Sequence, residues 1–153
     1  MNNLITNPLF IRNKLPLFSK IKAEDISPAI NYFIKENKKL IKKLSLLKNP
    51  SWDNFVRPLE VCDERLNRVW SQASHLNAVI NNDNLRKAYN NNAIKISKYY
   101  SDLSQNEQLQ NNFLKLRTHP DFKMLSKTRK KIINDELLNF KLGGVQLSSK
   151  KKT

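Results

Sequence analysis

Few residues in this chain of 153 could carry chemistry. His75 and His119 are the two histidines, Cys62 is the single cysteine, and Glu60, Asp63 and Glu64 form the tightest group of carboxylates. Zinc hydrolysis needs three protein ligands and an open position for water. A helical His-Glu-x-x-His supplies two imidazoles on one face with the glutamate aimed at the metal-bound water. Neither histidine here is followed by such a glutamate and second histidine. His75 flanks an apolar helical stripe, and a general-base role would need a nucleophile and an oxyanion site that the sequence does not nominate. It reads as a packing or helix-anchoring residue. The acidic group lies among Arg57, Arg65 and Arg68, so ion pairs three or four residues apart on a solvated face account for it. Cys62 falls between Leu59 and Leu66 on the apolar stripe and reads as a buried, reduced thiol. A lone cysteine excludes an internal disulfide and a cysteine-rich metal site. There is no glycine-rich phosphate loop and no Gly-x-Ser-x-Gly elbow. The sequence therefore offers no catalytic, cofactor-binding or metal-binding residue.

The elements that would position these side chains are helical. Residues 1–24, interrupted by Pro8 and Pro16, show no sustained 3.6-residue period and read as an extended arm whose apolar side chains need a surface to lie on. Ser27-Pro28 predicts the start of a first helix, with Ile30, Phe33, Ile34, Leu40, Ile41, Leu44 and Leu47 inward, ended by Asn49-Pro50. After a short turn at Ser51-Trp52, Pro58 sits in the first turn of a second helix reaching about Ile80. Its stripe is Leu59, Cys62, Leu66, Val69, Trp70, Ala73, Leu76 and Ile80. A third helix carries Leu85, Ala88, Tyr89, Ala93, Ile96, Tyr100 and Leu103. A fourth spans about 106–118 and is stopped by His119-Pro120; a fifth spans about 123–142 and is stopped by Gly143-Gly144. The expected fold is all-α, an antiparallel bundle-like helical region over 25–147, preceded by the arm 1–24 and followed by a basic tail at 148–153.

The net charge of +15 invites a polyanion partner. However, lysine and asparagine are both heavily used, as in A/T-rich coding, and the lysines are scattered over several helices. Non-specific polyanion affinity at low salt is expected. No apolar run approaches the ~20 residues of a membrane-spanning helix, and the first residues lack the basic and apolar regions of a secretory signal. A soluble, cytoplasmic chain with no membrane partner is expected.

Certain segments carry a resemblance. Leu15-Pro16-Leu17-Phe18-Ser19-Lys20-Ile21, Trp52, Pro58-Leu59-Glu60, Ser74-His75-Leu76-Asn77-Ala78-Val79 and Leu85-Arg86-Lys87-Ala88-Tyr89 occur in that order. Leu103-Ser104-Gln105-Asn106-Glu107 and Leu138-Asn139-Phe140-Lys141-Leu142-Gly143-Gly144-Val145-Gln146-Leu147 follow. In order and spacing these segments resemble the amino-terminal region of the oligopeptidase A branch of the thimet oligopeptidase family of zinc metallopeptidases. The resemblance implies a helical domain forming one wall of a channel for short peptides, with Trp52, Pro58, Leu59, Ser74, His75, Leu76, Asn77, Leu85, Arg86 and Tyr89 as its structural motif. It also implies that zinc belongs to a catalytic region downstream, not to these residues.

Where the family continues with a further helix, this chain reads Ser148-Ser149-Lys150-Lys151-Lys152-Thr153. The expectation is a truncated, non-catalytic fragment of such a peptidase, not an enzyme on its own. The alternatives are the N-terminal half of a split peptidase with a separately encoded catalytic chain, and a basic helical polyanion-binding module. A frameshift in an A-rich tract at Lys150–Lys152 predicts that downstream DNA, read in another frame, encodes the missing catalytic region; its absence there rejects the frameshift. Apolar surface shaped against a larger body also predicts an aggregation-prone monomer. A sharp cooperative melt without binding of a hydrophobic dye would reject that.

Overall fold

A computed structural model describes residues 6–11, 14–80 and 82–145; the predicted tail at 148–153 lies outside the described residues. Five helices account for most of them: α1 (Ala23–Ser45), α2 (Arg57–Val79), α3 (Asp83–Ser104), α4 (Glu107–Thr118) and α5 (Lys127–Leu142). Short 3-10 turns occur at Pro8–Phe10, Phe18–Lys20 and Pro120–Met124, one π-helical turn at Trp52–Val56, and no strand appears among the described residues. The fold is all-α. The chain divides into two compact units, Met1–Lys38 with Val61–Ser97, and Lys39–Glu60 with Lys98–Thr153.

In the first unit, the start of α1 is set by Asp25, whose carboxylate accepts from the Lys22 amide at 2.8 Å. This reach back to the first free N–H begins the helix before the predicted Ser27-Pro28. Ser27 is then spent differently: its hydroxyl accepts from the Asn92 side chain of α3 at 2.7 Å. Pro28 sits inside the helix. The arm is held by polar and aromatic contacts together. Asn7 accepts from the Leu9 amide and donates to the Asp25 carbonyl at 2.8 Å, placing Leu9 in the core at 2% exposure. The Phe10 ring lies 5.1 Å from both Tyr32 and Phe33, and Arg68 of α2 donates to the Lys14 carbonyl at 2.7 Å. Ile26, Ile30, Leu66, Val69, Ala73 and Leu85 are buried beneath. Each large apolar side chain so removed from water is worth roughly 1.5–3 kcal/mol before the entropy of ordering is charged against it. Trp70 and Tyr89 stack across α2 and α3, 4.7 Å apart and 10° from parallel. The Asn82 side chain caps α3 by accepting from the Asn84 and Leu85 amides. Ile80, predicted inward, lies past the end of α2 and is exposed.

In the second unit, Ser51 and Asn54 form a reciprocal capping box that opens the π turn. The turn drives Phe55 and Val56 into the core at 0% exposure. Phe55, Phe113 and Phe140 make a continuous aromatic line, with centroids 4.8 and 5.8 Å apart; each such pair adds about 0.5–1.5 kcal/mol beyond its buried area. The C-terminal end of α1 falls at Ser45, short of the predicted Asn49-Pro50, because Asn112 of α4 donates to the Leu44 and Ser45 carbonyls at 3.0 and 3.4 Å. The α5 helix begins at Lys127 under a Ser126 cap, later than predicted, since Pro120–Met124 forms its own 3-10 turn. It ends in a Schellman arrangement: the Val145 amide donates to the Phe140 carbonyl and the Gly144 amide to that of Lys141. Gly144 has a φ of 76°, and a Cβ on Gly143 would stand 2.6 Å from the Ser104 Cβ. The two glycines therefore serve two different needs, handedness at one and close approach at the other.

Asn112 is 2% exposed, and removing its amide leaves carbonyls of α1 dry and unpaired. Asn112→Ala should lower stability by about 1–3 kcal/mol. The exposed neighbouring change Asn111→Ala should cost under about 0.5 kcal/mol. Urea midpoints of the two variants compare them directly, and equal midpoints would remove Asn112 as a tie.

Candidate functional site

The residues singled out from the sequence do not assemble into one centre. Trp52, Pro58 and Leu59 belong to the second unit, whereas Ser74, His75, Leu76, Asn77, Leu85, Arg86 and Tyr89 belong to the first. Leu76 and Leu85 are core residues at 3% and 5% exposure. Tyr89 stacks on Trp70, and Arg86 pairs with Asp83 in the first turn of α3 at 3.5 Å. The exposed His75 places its ring 4.9 Å from that of Phe18, the arm residue lying against it.

Acidic residues on and just before α2 are engaged in structural contacts. Arg57 pairs with Asp53 of the preceding π turn at 2.7 Å, and Asp63 accepts from the Asn67 amide at 2.7 Å. Arg68, expected to pair along its own helix, instead donates to the arm at Lys14. Its Nε is buried without a hydrogen-bond partner among the described residues.

Catalytic zinc requires several histidine, carboxylate or thiolate donors converging on one point. Among the described residues no three of His, Cys, Asp or Glu come together in a way that could hold a metal ion. Cys62 is 5% exposed, and its burial pushes the thiol up to about 11, so it stays protonated and apolar in character at neutral pH. Its carbonyl accepts from the buried Asn37 side chain of α1 at 3.0 Å. The residues present thus do not fit a zinc centre. No helix among the described residues is long and apolar enough to cross a membrane.

Two groups of residues escaped the sequence reading. Asn37, Asn92 and Asn112 are buried at 3%, 0% and 2% exposure. Each sits at the helical phase of an apolar stripe, as Asn92 does between Leu85 and Ile96. A polar residue at an inward phase was the available signal. The second group lines an open groove of about 390 Å³ in the second unit: Lys48, Asn49 and Pro50 on one side, Lys115, Thr118, His119 and Pro120 on the other. His119 caps the following 3-10 turn, its Nδ1 accepting from the Asp121 amide at 3.3 Å. Close to the Pro50 wall in sequence, Trp52 lies under the Arg129 guanidinium, 4.8 Å from its centroid. No sequence pattern joins 48–52 to 115–129; only the fold does.

The chain is similar to known proteins over nearly all of its length. Residues 30–152 match the family model for the neurolysin/thimet oligopeptidase N-terminal domain. Oligopeptidase A of Haemophilus influenzae is 39% identical over 150 residues, covering 97% of this chain and 22% of that protein. The same enzyme from Salmonella typhimurium is 34% identical and that from Escherichia coli 32%, each again over 97% of this chain and 22% of its own length. The chain thus spans about a fifth of the length of these curated relatives. The helical order, the inward residues and these matches agree, and the chain belongs to the neurolysin/thimet oligopeptidase N-terminal domain family.

Proposed function

We propose that these 153 residues supply the helical N-terminal domain of an oligopeptidase A-type, zinc-dependent peptidase of the cytoplasm, and that they cleave no peptide by themselves. One observation carries this reading: the similarity runs along 97% of the chain yet reaches only 22% of the relatives, and no His-Glu-x-x-His occurs in the matched part. Hydrolysis of a short peptide would then fall to a catalytic portion lying outside these residues. The role of the helices would be to present a shaped surface beside it. The packing supports such a role, because rigid helices held by buried ties position a surface more accurately than loops do.

The test is an assay of short-peptide cleavage with added zinc. The purified chain is compared alone and mixed with the catalytic portion of an oligopeptidase A relative produced as a separate polypeptide. Cleavage by the chain alone should not exceed that of zinc and peptide without protein. The mixture should cleave faster than the catalytic portion on its own. Zinc-dependent turnover by the chain alone would overturn the reading, and so would a mixture no faster than its catalytic component.

A further inference from the structure

The fold gathers cations that look dispersed along the sequence. Lys48 and Lys115 both line the groove, whose wall continues through Pro120 into the 3-10 turn carrying Lys123. Lys130 is bound to that turn, its Nζ donating to the Lys123 carbonyl at 2.7 Å. Arg129 lies over Trp52, two residues beyond the groove wall at Pro50, and Lys127 opens the same helix. The groove, the 3-10 turn and the start of α5 thus form a basic band of six cations on the second unit.

Three aspartates of this unit pair with basic residues other than these six. Asp53 pairs with Arg57, Asp102 with Lys98 and Asp135 with Lys131, while Asp121 lies in the 3-10 turn itself, its carboxylate 3.5 Å from the His119 Nδ1. Lys48, Lys115, Lys123, Lys127, Arg129 and Lys130 have no carboxylate within ion-pair distance among the described residues. Like charges on one surface repel one another, and an anionic partner relieves that repulsion while releasing its own counterions.

We propose that this band binds the sugar-phosphate backbone of single-stranded nucleic acid, independently of base sequence. The groove is open and carries the Lys48 and Lys115 ammonium groups, which suits a chain of phosphates. The Arg129 guanidinium, backed by the Trp52 ring, offers a flat cationic surface on which a base can stack. This binding is separate from the peptidase reading and does not depend on it.

The test uses the 153-residue chain and a fluorescein-labelled oligothymidylate, with anisotropy followed from low to physiological salt. The variant Lys127→Gln/Arg129→Gln/Lys130→Gln removes three charges from the band. The control Lys20→Gln/Lys22→Gln/Lys35→Gln removes three exposed charges from the first unit. A single-strand phosphate contact contributes roughly 0.7 to the slope of log affinity against log salt. The band variant should therefore lose a slope of about 2 and bind at least about tenfold more weakly at low salt, while the control stays within about threefold of the parent. Should the triple variant lose helicity, Lys48→Gln/Lys115→Gln tests the groove side and should lose about 1.4 in slope. Equal losses in band and control variants would mean diffuse charge and overturn the proposal. Absence of binding by the parent at low salt would also overturn it, as would preferential binding to phosphatidylserine vesicles over the oligonucleotide.

Discussion

The fold depends on asparagine amides placed where helices meet. Asn37 ties α1 to the Cys62 carbonyl of α2, Asn92 ties α3 to Ser27 of α1, and Asn112 ties α4 to the last carbonyls of α1. Asn7 does the same for the arm, through the Asp25 carbonyl. Each bond is worth only about 0.5–1.5 kcal/mol net, but a buried amide left unpaired costs about 1–3 kcal/mol. That asymmetry sets register. Sliding one helix along another would leave the apolar burial nearly unchanged, since neighbouring leucines and isoleucines substitute for one another, but it would strand the amides. The Oδ1 of Asn92 is already buried with no hydrogen-bond partner among the described residues, so the tie through its Nδ2 is kept at a cost.

The apolar pattern made the helices legible and the ties invisible. Every helix was evident as a stripe, and α2 matches its stripe over nearly its full length because Pro58 and the capped π turn fix where it starts. Boundaries failed where a local signal competed with a partner distant in sequence. Ser27-Pro28 has the form of a cap, yet Asp25 had already taken the Lys22 amide and Asn92 occupied the Ser27 hydroxyl. Asn49-Pro50 has the form of a stop, yet Asn112 satisfies the α1 carbonyls some residues earlier. In α3 the predicted stripe passes through Tyr100, whereas the more deeply buried ring is Tyr99 at 3% exposure, with Tyr100 edge-on to it, 5.1 Å away.

Asparagine abundance therefore has two components that composition cannot separate. Nucleotide bias raises the count of asparagine and lysine everywhere, including on faces where any polar residue would serve. Selection for packing acts on position alone, and it is seen where an asparagine occupies an inward helical phase with its Nδ2 donating to a group on another helix. The Schellman end of α5 makes the same distinction for glycine: Gly144 is required by its φ and Gly143 by the approach of Ser104. Two adjacent identical residues answer two unrelated constraints, and a sequence motif reads them as one stop signal.

The same separation applies to charge. A coding bias can explain how many lysines the chain has, but it says nothing about where the carboxylates go. In the second unit Asp53, Asp102 and Asp135 each pair with a basic residue four positions away on the same stretch of chain, pairs worth about 0.3–0.5 kcal/mol apiece. Local pairing and an unneutralised band are thus compatible without strain, and the cost of the band is only the mutual repulsion of its cations, which ~10 Å screening at 0.1 M salt keeps small. A helical domain whose stability resides in apolar stripes and buried amides leaves such a surface free to carry charge for a partner, because little of the fold depends on it.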